Sequence, residues 1–221
     1  MQKMVLFDFD GTLADTAPDL ASAANRQRAL NGLPPLPYEA LRPFASHGAR
    51  GLLKAALDMD PNHPDYERCK QQFLQDYEND MTTLTTLFSG VPELLAALAH
   101  HGYTWGIVTN KMEYLALPLV RHLGLGDTCA ITVGGDTTPY SKPHPAPLLH
   151  AANQTGFLPQ DCIYIGDDER DIIAGKAAGM GTIVAAYGYC GDTTASSSWQ
   201  ADAVVRTVPE ILPAVERWAS R

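Results

Sequence analysis

Apolar and polar positions divide this chain into three textures. Met4-Val5-Leu6-Phe7 is an unbroken apolar run that stops at Asp8-Phe9-Asp10-Gly11, which predicts a buried strand ending in a polar turn. Thr16-Ala17-Pro18-Asp19 has the marks of a helix start: a hydroxyl cap, an early proline and an acid in the first turn. That helix is expected to stop at Asn31-Gly32. Between 33 and 83, Pro34, Pro35 and Pro37 give way to amphipathic segments such as 51–57 and 66–77, which predict helices only. From Leu84 onward strand-like runs alternate with helix-like ones. Strands are expected at 103–108, 129–133, 162–165, 182–185 and 203–205, and helices at 91–101, 112–123, 145–155, 169–178 and from Pro209. Trp105, inside a strand, is expected in the core.

Strands alternating with helices imply an α/β fold: a doubly wound parallel sheet with an α-helical domain inserted after the first strand. The expected division is 1–15 with 82–221 for the sheet domain and 16–81 for the insertion. In open sheets of this kind ligands bind at the carboxyl ends of the strands. Asp8 and Asp10 follow the first strand; Thr109, Asn110 and Lys111 follow the second; Asp167, Asp168 and Asp171 follow the strand at 162–165. Lys142 lies in a proline-rich loop after the strand near 131. Carboxylates, a hydroxyl, an amide and a lysine are thus predicted to meet on one rim. Asp167, Asp168, Glu169 and Asp171 place four carboxylates in five residues, more than a helix cap needs, which points to a metal nearby.

Composition narrows the function. The 221 residues are 45% hydrophobic, and 16 Lys and Arg against 25 Asp and Glu give a formal charge of −9. A chain of this size and composition buries a real core, and it is no disordered segment. It lacks the clustered cations that a nucleic-acid surface requires, and no stretch is long enough to span a membrane. The apolar run at the start is too short for a secretory signal. Cys69, Cys129, Cys162 and Cys190 form neither CxxC nor zinc-finger spacing, so buried free thiols in the cytoplasm are expected. Ser196-Ser197-Ser198 is expected to be a surface loop. His63, His122 and His150 are expected on the surface, His100-His101 at a helix end, and His144 in a structural role.

Asp8-Phe9-Asp10-Gly11-Thr12, Val108-Thr109-Asn110, Lys142 in Ser-Lys-Pro-His-Pro, and Gly166-Asp167-Asp168-Glu169-Arg170-Asp171 resemble, in this order, the four motifs of the haloacid dehalogenase superfamily. The helices inserted after the first strand resemble the cap of one subclass. Leu13-Ala14-Asp15-Thr16 and the Lys-Pro-His-Pro loop are similar to its phosphoglycolate phosphatase group. The resemblance implies a phosphomonoesterase working through an aspartyl phosphate. Asp8 would be the nucleophile and Asp10 the acid and base, with Thr109 and Lys142 completing the catalytic set. Gly11, Thr12 and Asn110 would bind substrate. Mg²⁺ would be held by Asp8, Asp10 (through its carbonyl) and Asp167, with Asp168 and Asp171 holding metal-bound waters or orienting the loop.

The inserted helices would read the leaving group, with Arg50 and His47 of the Ser46–Arg50 loop as candidate contacts. The expected substrate is a small phosphorylated metabolite, with 2-phosphoglycolate favoured. N-acetylmuramic acid 6-phosphate, or a sugar phosphate handled by a phosphatase or mutase, remains open. A metal-free dehalogenase fits the acidic cluster less well. A signalling receiver module would carry neither the helical insertion nor Asp10-Gly11-Thr12. A monomer or homodimer in the cytoplasm is expected, with no nucleic-acid or membrane partner.

Overall fold

The computed structural model describes residues 2–189 and 197–221, so Cys190 and Ser196 lie outside the described residues. The chain divides into two compact units, one of residues 1–13 and 87–221 and one of residues 14–86.

The first unit is built on a six-stranded sheet. Its strands are β1 (Met4–Phe7), β4 (Thr104–Val108), β5 (Thr132–Val133), β6 (Cys162–Gly166), β7 (Gly181–Ala185) and β8 (Ala203–Val205). Their order is β5-β4-β1-β6-β7-β8, and every pairing is parallel. All four β1 residues are buried, as are all five of β6, because a central parallel strand is covered on both faces. Among the described residues the helices of this unit are α5 (Val91–His100), α6 (Glu113–His122), α7 (Ala146–Thr155), α8 (Glu169–Ala177) and α9 (Ile211–Ala219). Met4, Leu6, Val108, Leu148, Tyr164 and Ala174 belong to one buried cluster between sheet and helices.

Chain order reverses at β1. From there the chain builds outward through β4 and β5, then returns to place β6 on the other side of β1. The carboxyl ends of β1 and β6 therefore flank the switch point where doubly wound sheets bind ligands.

One strand is shorter than expected. The run 129–133 forms regular ladder only at Thr132–Val133. Ala130 and Ile131 still bond β4 through Ala130 N to Trp105 O (2.9 Å) and Ile107 N to Ile131 O (2.8 Å). Cys129 instead turns its Sγ onto the Ile131 carbonyl, at 3.0 Å, so the edge pairing frays there. Trp105 is buried as expected. Cys69 and Cys162 are buried free thiols, while Cys129 is half-buried.

The second unit is helical: α1 (Ala17–Leu30), α2 (Tyr38–Leu41), a 3-10 turn at Arg42–His47, α3 (Gly48–Leu57) and α4 (Tyr66–Asp80). Short strands β2 (Ala14–Asp15) and β3 (Thr86–Leu87) pair where the chain enters and leaves it. Thr16 occupies the N-cap of α1, but its hydroxyl makes no capping bond, contrary to the sequence expectation. Asp19, three positions on, is buried and accepts from Leu84 N (3.0 Å), Thr85 N (2.9 Å) and Thr85 Oγ1 (2.9 Å). This tie brings residues 82–86 into the helical unit, past the 81 boundary expected from sequence texture. The proline-rich loop is fixed to α1 by a two-bond bridge: Asn25 Nδ2 donates to Leu36 O (3.0 Å) and Leu36 N to Asn25 Oδ1 (2.8 Å).

Candidate active site

Asp8 follows β1, and its N–H continues the sheet by donating to Ile165 O at 2.8 Å. Its Oδ1 accepts from Phe9 N at 2.7 Å and from Lys142 Nζ at 2.9 Å. Both contacts fall on one oxygen and so fix the rotamer. Lys142 is itself buried, and its ammonium also reaches Asp171 Oδ1 (2.7 Å) and the Tyr164 hydroxyl (2.7 Å). Three N–H groups meet three acceptors, which fills the donor capacity of a lysine. Burial works against the Lys142 charge, but Asp171 and Asp8 outweigh it and hold its pKa above the ordinary value. The Tyr164 hydroxyl donates to Val108 O at 2.6 Å. Burial, then Asp171 and Asp8, push its pKa well above the tyrosine range, so it stays a donor.

Asn110 anchors the same lysine by its backbone. Asn110 Nδ2 donates to Lys142 O at 2.9 Å and Lys142 N donates to Asn110 Oδ1 at 2.9 Å. The amide expected to bind substrate is thus engaged with the Lys142 loop. Thr109 is buried; its Oγ1 accepts from Lys111 N at 3.1 Å, which leaves its own hydroxyl proton to donate.

Asp167, at the end of β6, is buried. Thr12 Oγ1 donates to its Oδ1 at 3.3 Å and Tyr189 N to its Oδ2 at 2.7 Å. Gly11 has φ 85°, and a Cβ there would overlap the Asp167 carboxylate. A Cβ on Gly188 would strike the Asp167 side chain and the Gly11 carbonyl. Gly11 and Thr12, expected to bind substrate, are therefore placed against this carboxylate, and the Tyr187 hydroxyl holds the loop by donating to Thr12 O at 2.8 Å. Burial, then the charges of Asp8 and Asp171, raise the Asp167 pKa well above the carboxylate range. Burial likewise pushes Asp8 up to about 7, against the opposing charge of Lys142.

Asp8, Asp167 and Asp171 each offer an oxygen such that the three lie within 4.8 Å of one another, all buried. A cluster with this many buried anions and one lysine suits a hard divalent cation, which takes oxygen ligands and offsets the repulsion. Asp168, expected near the metal, is outside this cluster. It caps α8: its Oδ1 accepts from Arg170 N (2.9 Å) and Arg170 Nε (2.8 Å), and Oδ2 from Arg170 Nη2 (2.8 Å). A capping box closes as Asp171 Oδ2 accepts from Asp168 N at 3.0 Å. Held by Arg170 and the first turn of α8, Asp168 takes the loop-orienting one of its two expected roles. The Asp10 side chain is likewise occupied, its Oδ1 lying 2.9 Å from Lys111 Nζ.

His47 and Arg50 lie in the helical unit, His47 ending the 3-10 turn and Arg50 in the first turn of α3, both exposed. Sequence reasoning missed Tyr164, the Lys111–Asp10 pair and the Tyr187-Gly188-Tyr189 loop. Only the hydroxyl-bearing Tyr164 within an otherwise apolar strand offered a signal.

The family model described as "Haloacid dehalogenase-like hydrolase" matches residues 5–185. A phosphoglycolate phosphatase of Xanthomonas campestris pv. campestris is 43% identical over 212 residues, covering 95% of this chain and 94% of that protein. An N-acetylmuramic acid 6-phosphate phosphatase of Pseudomonas aeruginosa is 40% identical over 215 residues, covering 97% of this chain and 95% of its own length. A crystal structure described as a predicted phosphoglycolate phosphatase from Haemophilus somnus 129PT has a TM-score of 0.86 at 28% identity, covering 97% and 98% of the two chains.

Proposed function

We propose that this chain, which belongs to the haloacid dehalogenase-like hydrolase family, is a phosphatase that hydrolyses small phosphate monoesters through an aspartyl phosphate, with 2-phosphoglycolate as its substrate. The observation that carries this reading is the buried Asp8 at the sheet's switch point, held by Lys142 beside two further carboxylates. The alternative substrate is N-acetylmuramic acid 6-phosphate, favoured by the relative of that name at 40% identity. The free thiols Cys69, Cys129 and Cys162 support a reducing, cytoplasmic location. Among the described residues no helix is long and apolar enough to cross a membrane.

With Oδ1 of Asp8 pinned by Phe9 N and Lys142, the opposite oxygen carries the attacking lone pair. It bonds to phosphorus as the ester P–O bond breaks, and the Asp10 carboxyl gives its proton to the leaving oxygen. Water then attacks phosphorus, giving a proton to the Asp10 carboxylate, and the phosphorus–Asp8 bond breaks to release phosphate and free Asp8. Thr109 donates its hydroxyl proton to a non-bridging oxygen. Lys142 holds Asp8 and Asp171 in place, and Asn110 holds Lys142. Asp8, Asp167 and Asp171, with the Asp10 carbonyl, would hold Mg²⁺. Bound there, a divalent cation neutralises the substrate's negative charge and lets two anions meet.

Phosphate release from a panel of esters with Mg²⁺, wild type beside Asp8→Asn, tests the reading. One preferred substrate is expected, with activity abolished by chelation and reduced on the order of 10³-fold or more in Asp8→Asn. Asp8→Asn turning over as fast as wild type would sink it.

A further inference from the structure

Arg170, Lys142 and Lys111 stand on the catalytic rim of the sheet unit. Arg170 grips Asp168. Lys142 spends its three N–H groups on Asp8, Asp171 and Tyr164. The third is Lys111. Its side chain is only 6% exposed, and its ammonium lies 2.9 Å from Asp10 Oδ1. Its backbone is pinned at both ends: Lys111 N donates to Thr109 Oγ1 (3.1 Å), and Lys111 O accepts from Gly135 N (2.7 Å). A charge so held is preorganised and largely shielded from water, where attraction to an anion is strongest.

Asp10 is the group that meets the leaving oxygen. Lys111, in contact with it, therefore sits on the leaving-group side. Resting on the phosphatase reading above, we propose that Lys111 selects the leaving group by binding a carboxylate on the carbon that bears the ester oxygen. In 2-phosphoglycolate the carboxylate occupies that position. In N-acetylmuramic acid 6-phosphate the carboxylate belongs to a lactyl group far from the phosphate, beyond the reach of a lysine beside Asp10.

The test compares kcat/KM for 2-phosphoglycolate and for ethyl phosphate, which replaces the carboxylate by a methyl group. Wild type is expected to favour 2-phosphoglycolate. Lys111→Met is expected to shrink that preference about 10- to 100-fold, the worth of one charge-assisted hydrogen bond, and Lys111→Arg to restore part of it. A role confined to holding Asp10 would lower both rates together and leave the ratio unchanged, which overturns the proposal. So does a wild type that shows no preference between the esters, or that prefers N-acetylmuramic acid 6-phosphate to 2-phosphoglycolate. If Lys111→Met does not fold, Lys111→Gln replaces it. A wild type that hydrolyses none of these esters overturns the phosphatase reading, and this proposal with it; a ratio insensitive to Lys111 removes this proposal alone.

Discussion

Asp19 in the helical unit and Asp167 in the sheet unit are both buried carboxylates, yet they have opposite surroundings. Asp19 accepts hydrogen bonds from Leu84 N, Thr85 N and Thr85 Oγ1, and these ties close the unit's chain ends. Asp167 has the Tyr189 amide at 2.7 Å and a long bond from Thr12, while Asp8 and Asp171 press like charges on it. A buried charge satisfied by donors is structural; one surrounded by further charges of its own sign is arranged for a ligand. In the helical unit Asp19 meets donors, and on the rim of the sheet Asp8, Asp167 and Asp171 press like charges on one another.

The sharpest way to break this contrast is Asp167→Asn. Phosphate release at fixed Mg²⁺ is expected to fall about 10³-fold, equivalent to ~4 kcal/mol of lost transition-state stabilisation. The metal-free variant is expected to melt no lower than wild type, because a repelled charge has been removed. A variant that keeps full activity, or one that melts well below wild type, would place Asp167 with Asp19 as a structural residue.

Asp19→Ala should act the other way. It leaves two amide groups and a hydroxyl without their buried acceptor, at a cost of about 3 kcal/mol. Denaturant unfolding followed by circular dichroism checks this, and an early transition of the helical unit alone is an acceptable form of the loss. An unchanged midpoint would contradict the role assigned to Asp19.

Titration separates the regions through protons. Asp8 has its pKa raised to about 7 in the folded chain, and Asp167 is raised too, both chiefly by burial. Between about pH 4 and 7 the folded, metal-free protein thus holds more protons than the unfolded chain, so its stability falls as pH rises through that window. Metal ligands must be deprotonated to bind. The rise in Tm on adding Mg²⁺, about 2–4 °C per kcal/mol for a chain of this length, is therefore expected to grow from pH 5 to pH 8. Thermal melts across that range with and without Mg²⁺ measure it, and a constant increment would refute the linkage.

Much of the sheet unit was legible in the sequence for one physical reason. A central parallel strand is apolar throughout, so the place where Met4–Phe7 gives way to Asp8 announces both the strand and its functional end. The order of the other strand ends followed from the same contrast. The division of labour within 167–171 was not legible, because a carboxylate that caps a helix and one that faces a metal have the same sequence. Arg170 decides it by folding back onto Asp168. The Tyr187-Gly188-Tyr189 loop packs on Asp167 from some twenty residues downstream, and no spacing rule connects them. In the helical unit the 3-10 turn at Arg42–His47 went unforeseen, since Pro43 interrupts any helical period.

The smallest effect is the most discriminating, because the two regions contain the same device. Asn25 bridges the Leu36 backbone by two hydrogen bonds of 3.0 and 2.8 Å, and Asn110 bridges the Lys142 backbone by two of 2.9 Å each. Each bridge ties one loop to a distant element, so Asn25→Ala and Asn110→Ala should lose similar stability, about 1 kcal/mol. Their kinetic consequences should diverge. Lys142 sets the position of Asp8, the nucleophile of the proposed reaction, and a nucleophile displaced by a fraction of an ångström loses rate more than affinity. Asn110→Ala is expected to lower kcat about tenfold with a smaller change in KM, whereas Asn25→Ala should alter kcat less than about twofold. Steady-state kinetics beside thermal melts of the two variants make the comparison. Equal kinetic losses at equal stability would mean that the Asn110 bridge, like its counterpart, only holds a loop.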